Sequence, residues 1–288
     1  MNQITQSMRT LDFDDKASTI DVSIDTLRRT AGYELATGKM PKSRPVDHHV
    51  FMTEVIGMFN TENAIDVSAE PIHISKRHTA RVGWDSKKNG EIVPLDKYLV
   101  KRAITRIHSN VKGNASTMLN PSVSICYNEL GIEVAFGVNN KVCSNMTIMG
   151  SDKIYKTYGS DKMDFYDMKD RVRRYIDNMG EWYQNDYKTI EKLSNTEIDE
   201  KKINEMIGEL LESAVYGMNN HNDSILNCSQ VNNLVRQRLK NRLKSHTAWE
   251  FVNWGTDFLK AQGNDFVTLN TANNKFNNYV LDTLNISN

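Results

Sequence analysis

Residues 121–150 read PSVSICYNELGIEVAFGVNNKVCSNMTIMG, and this stretch decides the fold class. Residues 122–127 and 132–136 are both rich in β-formers and have the length of ordinary strands. The four residues between them end in Gly131, which can adopt a positive φ at little cost. Two strands joined by so short a connection predict an antiparallel β-hairpin. Residues 142–148 fit either a further strand or the entry to a loop.

The segments before the hairpin predict further helices and strands. Apolar residues at helical spacing predict a helix over 48–60, and alternating patterns predict strands at 65–68, 72–75 and 78–84. Residues 96–110 predict another helix, whose apolar face would hold Tyr98, Leu99, Ala103 and Ile107. Nearer the N-terminus, a polar arm precedes a short helix that opens at Ser23.

The chain after the hairpin is expected to be helical. Apolar residues three or four apart over 161–190 predict one long amphipathic helix. Ser194 with Glu197, and Thr247 with Glu250, have the spacing of a capping box at a helix start. Ser229 is expected to cap a helix that reaches residue 244. The Asn-rich stretch 264–288 predicts a short helix or a tail.

These patterns predict an α+β protein. Its core would be an antiparallel β-hairpin with packed helices, followed by a mostly helical C-terminal part. The predicted divisions are an N-terminal arm and short helix at 1–45, an α+β core at 46–150 and a helical region at 151–288.

Composition limits the classes of protein that are compatible with the chain. Of its 288 residues, 39% are hydrophobic and 25% charged, which excludes wholesale disorder. No apolar run approaches the ~20 residues that span a bilayer, and the first residues do not resemble a secretory signal, so a cytoplasmic protein without membrane contact is expected. Cys126, Cys143 and Cys228 lack the spacing of a disulfide framework or zinc site, and reduced thiols are expected.

Catalytic and cofactor motifs are missing from the sequence. It contains no glycine-rich phosphate loop, nucleophile elbow or zinc-protease motif, so no cofactor is expected and a non-enzymatic role is favoured. The histidines, including the His48-His49 pair, match no zinc spacing and predict no metal site. Asp167 and Asp170 lie among basic residues of the predicted long helix, which favours a solvated, ion-paired face over a paired-carboxylate site.

The net charge of zero conceals a basic middle segment. Residues 71–115 hold ten basic and three acidic residues, a net charge of +7. Tyr98 and Trp84 lie among these cations, and a basic groove with aromatic faces is typical of single-strand binding. A second basic stretch, 231–244, repeats cations every four residues. The predicted nucleic-acid-binding residues are Lys76, Arg77, Arg81, Lys87, Lys88, Lys101, Arg102, Arg106, Lys112, Arg236, Lys240 and Lys244. The cations could instead pair with acidic segments, within the chain or across a subunit contact, and both interpretations remain open.

The hairpin region resembles a phage- and plasmid-borne family known as domain of unknown function nine hundred and thirty-two. The resemblance covers about residues 46–262 and includes the Val-Cys-Ser-Asn signature at 142–145 and the segment 247–253. It implies a mobile genetic element, most of all a bacteriophage, and it implies no reaction. The motif residues, to which we assign a structural role, are Asn128, Gly131, Gly137, Cys143, Ser144 and Asn145.

These observations leave three functional hypotheses. The leading hypothesis is a DNA-binding protein of phage replication or recombination that binds or anneals single strands as a homo-oligomer. The alternative is a non-enzymatic interaction protein with a viral or host protein partner, such as a virion component or an inhibitor of a host defence system. An unrecognised enzyme ranks third.

Overall fold

The computed structural model describes most of the chain. The described residues are 11, 19–31, 47–59, 64–83, 93–111, 119–128, 131–140, 145–149, 154–158, 162–220, 224–241, 247–260 and 266–286. Some predicted site residues lie outside them: Trp84, Lys87, Lys88, Lys112, Cys143, Ser144 and Lys244. The side chains of Asn128, Asn145 and Lys240 also lie outside the described part.

The predicted α+β fold class is confirmed, with strands concentrated before residue 160 and helices after it. The strands are β1 Thr19–Val22, β2 Ala64–Ala69, β3 Ile72–Ser75, β4 Thr79–Arg81, β5 Tyr98–Val100, β6 Arg102–Val111, β7 Leu119–Asn128, β8 Gly131–Asn140, β9 Asn145–Thr147 and β10 Ile154–Tyr158. The helices are α1 Ile24–Arg28, α2 His48–Met58, α3 Lys162–Asp177, α4 Met179–Asn195, α5 Glu200–Asn220, α6 Cys228–Asn241, α7 Ala248–Lys260 and α8 Phe266–Thr283.

Two sheets are formed within the described residues. The larger has the order β1-β3-β6-β7-β8-β10, with β2 also on β6 and β9 also on β8, and the smaller pairs β4 with β5. Neighbouring strands run antiparallel, as in β1 on β3, β2 on β6 and β8 on β9, and in the first pair Asp21 lies opposite His73. The predicted hairpin is therefore present as β7 and β8, each ten residues long.

The predicted helix over 96–110 is wrong, because this segment forms β5 and β6. Along β6 the buried positions Ala103, Thr105, Ile107 and Ser109 recur every second residue, which is the period of a strand. The apolar residues that suggested a helix are shared between two short alternating runs. Lys101 separates these runs, and its N–H donates to the carbonyl of His78 at 2.7 Å.

The chain forms two compact units that interleave along the sequence. Unit 1 contains residues Met1–Lys112, Val123–Val134 and Tyr155–Asp177, and unit 2 contains Gly113–Ser122, Ala135–Ile154 and Asn178–Asn288. The sequence prediction used consecutive segments instead. The predicted long helix is also divided, since α3 ends at Asp177 and Asn178 (φ −100°, ψ 16°) separates it from α4.

In unit 1, helix α2 packs on α1 and α3. Its buried face contains Phe51, Met52 and Val55. The His48 ring packs edge-on against Tyr127 of β7, with centroids 5.6 Å apart. These contacts place α2 against the side of the hairpin strand that carries Tyr127.

In unit 2, helix α8 forms where a short helix or a tail was predicted. The ring of Phe276 on α8 packs on the ring of Phe251 of α7, with centroids 5.6 Å apart. A second stripe of α8 buries amides instead of apolar groups, and Asn277 Nδ2 donates to the carbonyl of Ile148 at 3.0 Å. The buried amides are Asn270, Asn273, Asn274 and Asn277. The low helix propensity of Asn explains why the sequence alone left this helix undecided.

Helix α7 begins with the capping box predicted from sequence. Thr247 Oγ1 accepts from Glu250 N–H, and Glu250 accepts from Thr247 N–H, both at 3.2 Å. The Ser194–Glu197 box is absent, because Ser194 donates to the Ile190 carbonyl and Asp199 caps α5 instead. The predicted cap at Ser229 also moves, since Asn227 and Gln230 form that box at 2.8 and 2.9 Å.

Thr247→Ala is therefore expected to lower the free energy of unfolding by about 1 kcal/mol. The substitution leaves an N–H of the first turn of α7 without its side-chain acceptor. The control is Ser194→Ala, which has the same sequence signature but removes no cap and should cost only a few tenths of a kcal/mol. Urea denaturation followed by circular dichroism measures both. Equal losses in the two variants would contradict the assignment of the cap.

No helix within the described ranges combines the length and apolar character that a membrane span requires.

Candidate nucleic-acid interface

A basic turn interrupts the pairing of two strands in unit 1. The β3–β6 pairing reaches Ile74 opposite Ala103, and the β4–β5 pairing starts at Thr79 opposite Val100. Between these pairs one strand has four residues and the other has two, so the longer side must bulge. We call the five basic or imidazole-bearing residues at this bulge the basic turn: Lys76, Arg77, His78, Lys101 and Arg102.

Local hydrogen bonds fix the shape of the basic turn. Residues Lys76–His78 form one turn of 3₁₀ helix. The hydroxyl of Thr79 donates to the carbonyl of Ser75 at 2.9 Å, which links the residues on either side of the turn. The Lys101 N–H, which donates to the carbonyl of His78, ties the turn to the opposite strand. The bulge is thus a defined backbone structure that presents cations on a short segment.

The basic turn and the following strand, β4, expose basic side chains, and no acidic residue lies near them in the sequence. Lys76, Arg77 and Arg81 are exposed, whereas Lys101 and Arg102 are half-buried. No acidic residue occurs between positions 71 and 83. Within the described residues, no ion pair is seen for Arg77 or Arg81. Such side chains can approach an external anion without first leaving a carboxylate.

Arg106 lies on the same strand as Arg102 but is in a different environment. Its residue surface is only 6% exposed, while the backbone N–H of Glu70 donates to its carbonyl at 2.8 Å. Burial lowers the pKa of Arg106, and the negative charge of Glu70 opposes that change. Since an arginine stays protonated in proteins, the buried cation depends on Glu70 for part of its compensation.

Glu70 owes its position to a proline that breaks the strand. Pro71 has no N–H for the ladder, so β2 ends and β3 begins on either side of the Glu70-Pro71 dipeptide, and both pair with β6. At this interruption the Glu70 carbonyl accepts from the Thr105 hydroxyl at 2.9 Å. The Glu70 carboxylate lies 2.8 Å from Nε2 of His108. Burial raises the pKa of Glu70, but the bond to His108 and the charges of Arg106, His108 and His73 outweigh it and leave the pKa lowered.

Further polar pairs extend this face of the sheet. His73 Nδ1 lies 2.5 Å from the Asp21 carboxylate on the neighbouring strand. Asn110 donates to Asp66 at 3.0 Å, and Asp66 has a positive φ of 50° at the irregular part of β2. Sequence reasoning missed Glu70. The available signal was a Glu-Pro dipeptide between two alternating strand patterns.

Of the two aromatic residues predicted to lie at the interface, only Tyr98 is among the described residues. Tyr98 is 5% exposed and lies opposite Arg81 in the β4–β5 register, so its ring is part of the interior. Trp84 lies outside the described residues. The cations of the basic turn are of the type that contacts phosphate groups, a contact that needs no aromatic partner.

The second predicted basic stretch lies on α6 in unit 2. Arg236 is exposed, while the neighbouring Arg238 forms an ion pair with Glu200 of α5 at 3.5 Å. For this one cation of the helix, the contact agrees with the alternative that the basic residues pair with acidic segments of the chain. The side chain of Lys240 and all of Lys244 lie outside the described part, so the four-residue stripe stays a prediction.

The two segments that carry the family resemblance come together in unit 2. Helices α7 and α8 both pack on β9, which begins at Asn145. Segment 247–253 forms the start of α7. Gly137 is buried within β8, where Val138 lies opposite Thr147 of β9. Gly137 therefore belongs to the interior of unit 2, and the structural role of the motif as a whole stays a prediction.

The other residues considered for metal binding or catalysis, the His48-His49 pair and Asp167, make contacts that support the fold. His48 is buried and its Nδ1 accepts from His49 N–H at 2.8 Å. Burial also lowers the pKa of His49. Asp167 accepts from Arg171 at 2.8 Å on an exposed helix face, as predicted. In the part of the chain that is described, no three His, Cys, Asp or Glu side chains are grouped to hold a metal ion.

Comparison with known proteins gives no relative for this arrangement. No protein-family model matches the chain, and searches of curated proteins and of solved structures return no match. The resemblance to the phage- and plasmid-borne family therefore stays a prediction from the sequence.

Proposed function

We propose that this protein binds single-stranded DNA through the basic turn. The observation that carries the proposal is the exposure of Lys76 and Arg77 on the basic turn and of Arg81 on β4, within a stretch, 71–83, whose sequence holds no acidic residue. Nucleic-acid phosphates attract such clusters, and each contact releases a condensed counterion. Contacts of this kind position the strand without reading its sequence, so binding should depend little on base sequence.

Preference for single strands depends on a stacking surface beside the cations. Tyr98 is buried, so Trp84 is the aromatic residue to which we assign this role. Given the mobile-element setting that the family resemblance implies, we propose that the protein acts in phage replication or recombination inside the host cell. Annealing of complementary strands by a homo-oligomer would be a natural use of a sequence-independent surface of this type.

The test is fluorescence anisotropy with labelled single- and double-stranded oligonucleotides across a range of salt concentrations. We expect the logarithm of affinity for single strands to fall linearly with the logarithm of salt, with a slope of about 0.7 for each phosphate contacted. The double variant Lys76→Glu/Arg77→Glu should lose two contacts. Its affinity should fall at least about 25-fold near 0.1 M salt, with a slope smaller by about 1.4.

The matched control reverses two exposed cations elsewhere, Arg173→Glu on α3 and Lys188→Glu on α4. It changes the net charge by the same amount and should leave both affinity and salt slope close to wild type. Equal losses in the two double variants would mean that net charge alone attracts DNA. An absence of binding by the wild-type protein at low salt would refute the proposal and favour a protein partner.

A further inference from the structure

Helix α5 presents an open, partly apolar depression to solvent. Gly208, Leu211, Glu212 and Val215 lie at positions i, i+3, i+4 and i+7 of the helix, the arrangement that receives one side chain of a facing helix in knobs-into-holes packing. Leu211, Glu212 and Val215 are exposed, Val215 to 52%. Nothing lies within 4 Å of a Cβ built at Gly208, so the floor of the depression is open. We call these four residues the α5 hole.

The neighbouring helix α6 carries a side chain of the type that fills such a hole. Leu239 is 76% exposed, more than any other large hydrophobic residue of the described part. Arg236, one helical turn before it, is also exposed. We call these two residues the α6 knob. Transfer of the leucine side chain from water to an apolar site is favourable, so the knob gains stability where it finds a partner.

The α6 knob does not reach the α5 hole of its own chain. Helices α5 and α6 pack on each other, and Arg238 pairs with Glu200 at 3.5 Å, so the end of α6 lies at the start of α5. The start of α6 lies near the other end, where Ile225 N–H donates to Ser213 Oγ at 3.2 Å. At a rise of about 1.5 Å per residue, the hole lies about 12–22 Å beyond Glu200 along α5. Filling the hole with this knob therefore takes a second molecule.

The charges of the knob and the hole are complementary. Glu212 belongs to the hole and Arg236 to the knob, and neither has an ion pair within the described residues. When Leu239 enters the hole, Arg236 comes within reach of its rim, because the two residues lie three apart on one helix face. A second copy of this chain thus supplies both the apolar side chain and the cation that suit the hole.

We propose that the α6 knob of one copy docks in the α5 hole of the next, head to tail. Each added copy leaves one hole and one knob free, so the array continues. A single strand of DNA has a direction, and copies bound along it in one orientation would meet in this way. The proposal rests on the proposed function in its homo-oligomeric part, although the contact itself requires no DNA. It assigns Arg236 to a subunit contact, one of the two interpretations that the sequence left open.

Sedimentation velocity without DNA, at several protein concentrations, tests the contact. A patch of this size should bind weakly, so the wild-type protein is expected to grow beyond two chains only as its concentration rises. Val215→Gln in the hole and Leu239→Gln in the knob should each weaken association about tenfold or more. Both side chains are exposed, so neither change should unfold the protein. The matched control, Val50→Gln, replaces an exposed valine of α2 and should associate like wild type.

Mixing the two variants tests the pairing of knob with hole. Each variant alone should remain a single chain at concentrations where the wild-type protein assembles. An equimolar mixture should form pairs, because the Leu239→Gln protein keeps its hole and the Val215→Gln protein keeps its knob. The proposal is overturned if the mixture stays monomeric, if either variant assembles like wild type, or if the wild-type protein stays monomeric or stops at two chains.

A charge exchange tests the ion pair between copies. Arg236→Glu and Glu212→Arg should each weaken association, since each places like charges side by side, and the double variant should restore part of it. Losses that add in the double variant would contradict the proposed docking. A protein that assembles as expected but binds no oligonucleotide in the anisotropy assay would refute the proposed function alone. A protein that binds DNA but stays monomeric would refute this proposal alone.

Discussion

Phe276→Ala is expected to lower the free energy of unfolding by about 3–5 kcal/mol, since it removes a fully buried ring and leaves a cavity. The ring lies over Gly255 of α7. A Cβ built at Gly255 would approach ring atoms of Phe276 to 2.3 Å, which no real contact allows. The absence of a side chain at 255 therefore makes room for the ring, and helix α8 docks on α7 at this point.

A double-mutant cycle separates this fit from general loss of packing. Gly255→Ala alone should destabilise by about 1–3 kcal/mol through overpacking, despite the better helix propensity of alanine. In the Phe276→Ala background the same change should cost little, because the space is empty. Gly208→Ala on α5 is the control: nothing lies within 4 Å of its built Cβ, so a gain of up to about 1 kcal/mol is expected. Additive effects of Gly255→Ala and Phe276→Ala in urea denaturation would contradict the fit.

Glu70→Leu is expected to cost about 1–3 kcal/mol, because it removes the carboxylate that lies 2.8 Å from His108 and whose charge opposes the effect of burial on the pKa of Arg106. The loss should depend on pH. The pKa of Glu70 is lower in the folded protein than its ordinary value of 4.5, so its contribution is complete above that value and disappears as the pH falls through the folded pKa. The difference in stability between wild type and variant should therefore shrink below about pH 4.

Urea midpoints measured from neutral to acidic pH test this expectation. Asp66→Asn provides the control, since it removes an exposed carboxylate of the same sheet and should change stability by less than about 0.5 kcal/mol. A wild-type–variant difference that stays constant down to pH 3 would show that lost packing, not the charge of Glu70, causes the destabilisation.

The parts of the fold that could be predicted are those with a strong local signal. The hairpin β7–β8 has two β-rich runs and a short connection, and α2 has a clear apolar spacing. The Thr247–Glu250 capping box is encoded by two side chains three residues apart. In each case neighbouring residues decide the structure, so distant contacts are not needed to read it.

The failures have equally local causes. In residues 96–110, cations between apolar positions imitate an amphipathic helix, while Lys101 conceals the change from one short strand to the next. In α8, amides occupy a buried face that apolar residues ordinarily fill, because Asn277 bonds to a backbone carbonyl far away in sequence. Both outcomes depend on tertiary pairing that a single sequence does not display.

The candidate site was only partly predictable for the same reason. The exposed cations Lys76, Arg77 and Arg81 were identified from charge density. The burial of Arg106 was not, because it depends on neighbouring strands, such as the one that brings Glu70, 36 positions away, to the carbonyl of Arg106. A count of charges along the sequence locates a basic surface. Which of its cations are exposed depends on contacts with other strands, which the count does not show.

The interleaving of the two units has a consequence for how the chain is made. Unit 1 includes residues up to Asp177, and unit 2 already begins at Gly113 and continues to the C-terminus. During synthesis, neither unit can be completed by an uninterrupted stretch emerging from the ribosome. Unit 1 must wait for helix α3, while the part of β8 that belongs to unit 2 emerges well before the helices of unit 2. Such long sequence separations slow folding, so the nascent β-strands should depend on chaperones until translation ends.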